Sequence, residues 1–130
     1  MRLSPRSGAW LLAAGRAVLG MTVLAAPEKV TERWLGEENS RLPVVGDLAR
    51  SLGARDLALG IATLASIDDP VLGPRVQAAC AVVDGVDAIA TVIARKALPR
   101  TGVIGTVLVA GVASAAGFYF SHRLAHDTSA

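Results

Sequence analysis

Aromatic residues are scarce in this chain: two Trp, two Phe and one Tyr stand among 130 positions. The apolar mass is Ala, Val, Leu and Gly instead, which suits closely packed helices better than a ring-filled core in water. Cysteine is almost absent. The single Cys80 excludes an internal disulfide and any Cys-pair metal site, and its apolar neighbourhood reads as packing. Charged residues make up only 18%, with a net charge of +2. The basic residues are scattered, and none cluster beside rings that could stack on bases, so no nucleic-acid partner is expected. There is no Gly-rich phosphate loop, no Ser/His/Asp set and no H-E-x-x-H stretch. Neither a cofactor nor a metal site is therefore expected. His122 and His126 have a metal-compatible i, i+4 spacing, but beside a helix end they read as an interface pair.

What is present is hydrophobicity in long runs. Hydrophobic residues reach 52%, and the mean hydropathy is +0.48. A helix needs ~20 mostly apolar residues to cross a bilayer. Four segments approach that length, at about 8–26, 44–67, 75–97 and 101–121. The fourth carries no charge. The second is the weakest, because only Leu57 to Ile67 is uninterrupted and the extension back to Val44 brings in Asp47, Arg50, Arg55 and Asp56. Arg2 and Arg6 ahead of the first segment resemble a signal peptide, but Arg16 interrupts the apolar run, so a retained first span is expected. Between Pro27 and Pro43, residues 28–36 have amphipathic spacing and read as a short interfacial helix with Trp34 at headgroup level.

Short connections force antiparallel neighbours. The expected fold is all-α: a single domain, residues 1–130, forming an up-down-up-down four-helix transmembrane bundle. Seven Lys/Arg flank the two odd-numbered loops, against four (Arg2, Arg6, Arg75 and Arg123) on the other side. The positive-inside rule then places loops 27–43 and 98–100 in the cytoplasm. Abundant Ala, Gly, Val and Arg fit a GC-rich bacterial genome, so the expected location is a bacterial inner (plasma) membrane, crossed several times. Small residues mark the first and last helices, and Thr106, Ala110, Ala113 and Gly117 share one face, a pattern that allows close helix contact.

The informative residues are charges at membrane depth. Two Asp in the third segment cost ~5–7 kcal/mol on the insertion scale, while its seven Val and Ile return only ~2–4 kcal/mol. That helix needs partners. Gln77, Cys80, Asp84, Asp87 and Thr91 follow i, i+3, i+7, i+10, i+14, one seam that must turn away from lipid. Arg16 on the first helix, with Ala9, Ala13 and Gly20 leaving room beside it, and Arg55 with Asp56 on the second complete an intramembrane polar cluster: Arg16, Arg55, Asp56, Asp84 and Asp87. At 1.5 Å per residue from the odd-loop surface, Arg16 lies ~15 Å deep, Asp84 ~17 Å and Asp87 ~12 Å, with Arg55 and Asp56 shallower at ~6–8 Å. Arg16 is thus placed to pair with Asp84, and Arg55 to reach toward Asp87. Two Arg against three Asp leave one carboxylate without a cation of its own.

Gly15-Arg16, Trp34-Leu35-Gly36, the run Leu52-Gly53-Ala54-Arg55-Asp56-Leu57-Ala58-Leu59-Gly60, and Asp84-Gly85-Val86-Asp87-Ala88 together resemble a family of small four-helix bacterial integral membrane proteins, the domain-of-unknown-function type 4267. A more distant similarity is to DoxX-like four-helix proteins. The resemblance implies the bundle and its charged interior, and no established reaction. Asp84-Gly85-x-Asp87 also shares part of the aspartate motif of CDP-alcohol phosphotransferases, but the third and fourth Asp that would hold two metal ions are missing.

Two functions follow as expectations. In the first, the cluster organises the bundle without catalysis, around membrane lipid, a hydrophobic small molecule, a second copy or a partner membrane protein. In the second, Asp84 or Asp87 is the catalytic candidate, a general acid/base acting on a lipid-soluble substrate of isoprenoid or sterol type, with Arg16 orienting it. Proton or ion conduction is a further option, since ionisable groups at membrane depth commonly mark such paths.

Overall fold

The computed structural model describes residues 4–127; Arg2, counted above for sidedness, lies outside them. Six helices account for nearly all of this length: α1 (Pro5–Ala25), α2 (Pro27–Leu35), α3 (Glu37–Ser40), α4 (Pro43–Ser66), α5 (Leu72–Ile93) and α6 (Arg100–Asp127). There is no strand among the described residues.

The helix starts follow from local chemistry. Ser4 caps α1, its Oγ accepting the Ser7 amide at 3.1 Å, and Pro5 occupies the first helical position, where a missing N–H costs nothing. The helix therefore begins three residues before Gly8, where the apolar run alone would start it. At α5, one carboxylate oxygen of Asp69 accepts the amides of Val71 (2.8 Å) and Leu72 (2.7 Å), so the helix opens at Leu72 rather than near Arg75. It closes at Ile93, not at 97, because residues 94–97 turn on themselves through Ala97 N to Ala94 O. Pro27 and Pro43 open α2 and α4 in the same manner as Pro5. Gly36 joins α2 to the four-residue α3 with a φ of 85°, a left-handed conformation that side chains disfavour.

Three helices are long and apolar enough to cross a membrane: α1, α5 and α6. The fourth long helix, α4, is 24 residues but does not reach that hydropathy. The sequence reading expects four apolar spans; the difference lies in Asp47, Arg50, Arg55 and Asp56, all within the first fourteen residues of α4.

The long helices pack as two antiparallel pairs. In the first, α1 lies along α4 with backbone nearly touching backbone: a Cβ at Gly60 would sit 2.8 Å from the Ala17 nitrogen and 2.9 Å from the Ala13 oxygen, and one at Gly53 2.8 Å from the Gly20 oxygen. In the second, α5 lies along α6. Gly117 faces Ala81 there, the Ser114 hydroxyl donates to the Ala81 carbonyl at 2.8 Å, and the Ser121 hydroxyl to the Pro74 carbonyl at 2.7 Å. Contact between the pairs, α1 with α6 and α4 with α5, is much thinner.

The distribution of side chains is inverted relative to a protein of the aqueous phase. The buried hydrophobic set is small, comprising Ala9, Ala13, Ala49, Ala81, Cys80 and Ile67. Large apolar residues point outward on every long helix, among them Val18, Ile61, Val86, Ile89, Val109 and Val112. The interior holds Thr63, Gln77, Asp84 and Thr91.

Candidate functional site: an ion-pair chain inside the helices

The seam of α5 sets the site. Gln77, Cys80, Asp84 and Thr91 are buried and Asp87 is half-buried, so the helical repeat turns all five from the surface. Thr91 donates to the Asp87 carbonyl one turn back at 2.8 Å, a bond that keeps its hydroxyl within its own helix. Thr63 of α4 lies 3.4 Å from the Cys80 sulfur, joining the two helices one turn beyond Asp84.

The five charged residues form one chain across three helices. Arg16 of α1 donates to Asp84 of α5 through one guanidinium nitrogen. Through the other it reaches the Oδ1 of Asp56 on α4 at 3.3 Å. That same Oδ1 accepts from Arg55 Nη2 at 3.1 Å and Nε at 3.3 Å. Arg55 then holds Asp87 with two bonds, Nη1 to Oδ1 at 3.1 Å and Nη2 to Oδ2 at 2.6 Å. The sequence of contacts is Asp84, Arg16, Asp56, Arg55, Asp87. The Arg16 and Asp84 side chains are 9% and 10% exposed, Asp56 16%, and the Arg55–Asp87 end about one third, so the chain runs from interior to edge.

One expectation changes here. Three Asp against two Arg do not strand a carboxylate, because Asp56 is shared: its single oxygen takes both guanidinium groups. The register explains how. With Gly60 against Ala13 and Ala17, and Gly53 against Gly20, Asp56 lies about one helical turn from Arg16, within the length of its side chain. A forked guanidinium can serve two carboxylates at once, which a lysine ammonium does less well.

The chain occupies the thin seam. Arg16, Asp56 and Arg55 belong to the α1–α4 pair, Asp84 and Asp87 to the α5–α6 pair, and α6 contributes none of the five. Chemically, such an array fixes register: each guanidinium has two directions satisfied, and a helix sliding by one turn would part them. It also gathers three carboxylates along one seam, groups able to take up and release protons.

Other sequence candidates fall elsewhere. The rings of His122 and His126 lie 4.3 Å apart, tilted by 43°, near the end of α6, and no group of three or more metal-type ligands occurs among the described residues. Gln77 is 2% exposed and its Oε1 has no donor among the described residues. Two surface grooves are lined by other residues: one by Arg6, Ser7, Trp10 and Leu11, the other between α1, α2 and the start of α6. The hydroxyl bonds of Ser114 and Ser121 carried no periodic signal and could be placed only with α5 and α6 side by side.

The class defined by these features is an all-helical protein with three apolar helices of membrane-spanning length and paired charged side chains in its interior. Comparison of the chain with protein-family models, curated proteins and solved structures returned no match.

Proposed function

We propose that this is a multi-pass membrane protein whose ion-pair chain fastens two helix pairs into one four-span, up-down-up-down bundle. The observation that carries the reading is the inverted distribution of side chains. Apolar residues such as Val18, Ile61, Ile89 and Val112 face outward while Arg16 and Asp84 face inward. In water that exterior would form apolar patches far larger than monomers tolerate. In lipid it is the ordinary arrangement, and the interior is where charges must go.

On this reading α4 crosses as the fourth span although it is too polar to do so alone. Its Arg55 and Asp56 are matched by α1 and α5, so the helix enters as part of an assembly. The composition supports a bacterial plasma membrane, and the basic-residue bias supports loops 27–43 and 98–100 on its cytoplasmic side. The role is organisational rather than catalytic. The bundle presents its surface to lipid, to a second copy or to another membrane protein.

Asp84→Asn tests the assignment. It removes the charge at the most interior link and keeps the shape. An organising chain predicts a bundle that unfolds at markedly lower temperature in detergent, with loss of monodispersity. A protein that stays folded with an unchanged midpoint overturns this role and shifts weight to Asp84 as a general acid/base on a lipid-soluble substrate.

A further inference from the structure

A groove of about 450 Å³ opens where α2 crosses the end of α1 and the beginning of α6. Its lining includes Lys29, Arg33 and Trp34 from α2, and Thr101, Gly102 and Gly105 from α6. Four features of these residues converge. Lys29 and Arg33 stand one turn apart on α2, both exposed, and neither enters an ion pair among the described residues. The α6 backbone pairs first at Val103, whose amide donates to the Pro99 carbonyl at 3.0 Å; the amides of Thr101 and Gly102 are the unpaired donors of a helix start. Half-buried Trp34 forms one side of the groove, with its Nε1 shut away from solvent. Beyond the donors the wall is apolar, with Ala26 and Val30, and a Cβ at Gly105 would meet nothing within 4 Å.

The two cations and the free amides of the helix start favour the same visitor, an oxyanion. The apolar wall and the groove's position, beside outward-facing Ile104 and Leu108, call for a hydrocarbon tail attached to it. We propose that this groove binds the phosphate of one anionic phospholipid, its acyl chain lying along α6. Gly102 is the reason the groove exists in this form. The Trp34 carbonyl lies directly over Gly102, where any Cβ would collide, so α2 is pressed onto the start of α6 and its cations are brought to the unpaired amides. The inference rests on the chain being membrane-embedded, but not on the role of the ion-pair chain.

Native mass spectrometry tests it, on full-length protein in micelles holding equal dioleoyl phosphatidylglycerol and dioleoyl phosphatidylcholine. One phosphatidylglycerol should be retained in preference to phosphatidylcholine. Lys29→Gln with Arg33→Gln should reduce that retention roughly tenfold or more, since each surface cation contributes on the order of a fivefold attraction to anionic lipid. Gly105→Leu fills the groove with every charge intact, and should also abolish the preference. Equal retention of both lipids by the unaltered protein overturns the proposal. So does a Gly105→Leu protein that still prefers phosphatidylglycerol, which would reveal diffuse surface charge. Displacement of the lipid by millimolar inorganic phosphate overturns it too, by showing a site for a free anion. Extraction of the protein from its native membranes by alkaline carbonate is read separately, and release there would defeat the membrane reading instead.

Discussion

The contact inside each helix pair and the contact between the pairs are made of opposite materials. Within α1–α4, glycine lets two backbones meet, and Gly20, Gly53 and Gly60 each face main-chain atoms of the other helix. Within α5–α6, small residues and two serine hydroxyls do the same work. Between the pairs the backbones stand apart, and five long or charged side chains fill the distance. The lesson concerns range. Lipid offers helices no hydrophobic reason to associate, so stability comes either from close van der Waals fit or from electrostatics that are strong where water is absent. Close fit works only at backbone contact, and ions reach across the gap.

The largest effect should come from breaking the gap-spanning chain. Arg16→Ala leaves Asp84 buried without its partner and should destabilise the protein by ~3–5 kcal/mol. Adding Asp84→Leu in the same chain should recover much of that loss. Thermal unfolding of both variants in detergent checks the pair, and failure of the second change to restore stability would show that the ions do more than balance each other. Gly60→Val attacks the backbone seam instead. Its side chain must displace the Ala13 and Ala17 main chain, at ~1–3 kcal/mol for overpacking. The sharper readout is location: cysteine cross-links between α1 and α4 should be lost while those between α5 and α6 persist. Ser114→Ala should cost least of the seam changes, ~0.6 kcal/mol for one interhelical hydrogen bond in a membrane. A loss as large as that of Arg16→Ala would erase the distinction between the seams.

Much of the polar interior was legible because a 3.5-residue repeat of Gln77, Cys80, Asp84, Asp87 and Thr91 has no other use in an apolar helix. Depth counting also brought Arg16 to Asp84 and Arg55 to Asp87, as rise per residue is nearly constant. The sharing of Asp56 was not legible, since counting charges says nothing of one oxygen accepting two guanidinium groups. The roles of Gly53 and Gly60 depend on the α1–α4 register, which no single helix specifies. Helix starts were misplaced by about three residues where apolar run length was followed rather than caps. Ser4-Pro5 and Asp69 are the signals that mark the true starts. The four-residue α3 has too few positions for any periodicity to show.

Asp69 gives the mildest comparison, between a helix end in water and the seams in the interior. The Leu72 and Val71 amides hold its carboxyl below the usual carboxylate range, so the charged form belongs to the folded state. Its stabilisation is complete above that range and disappears as pH falls through the lowered value. Melting at pH 7 and at pH 3 should therefore fall further for the unaltered protein than for Asp69→Asn, which has no charge to lose.

The order in which the chain is made gives the ion pairs a further consequence. A ribosome releases α1 and α4 before α5. At that stage Arg16 and Arg55 face Asp56 alone, two positive charges against one negative. With α5 come Asp84 and Asp87, and the balance passes to three against two. Each helix group holds charges whose partners lie on the other. The α1–α4 hairpin therefore carries an unspent positive charge until α5 brings the two carboxylates that engage its guanidinium groups. On the four-span reading proposed above, integration is a matching of halves, timed by synthesis, rather than the independent entry of separate segments.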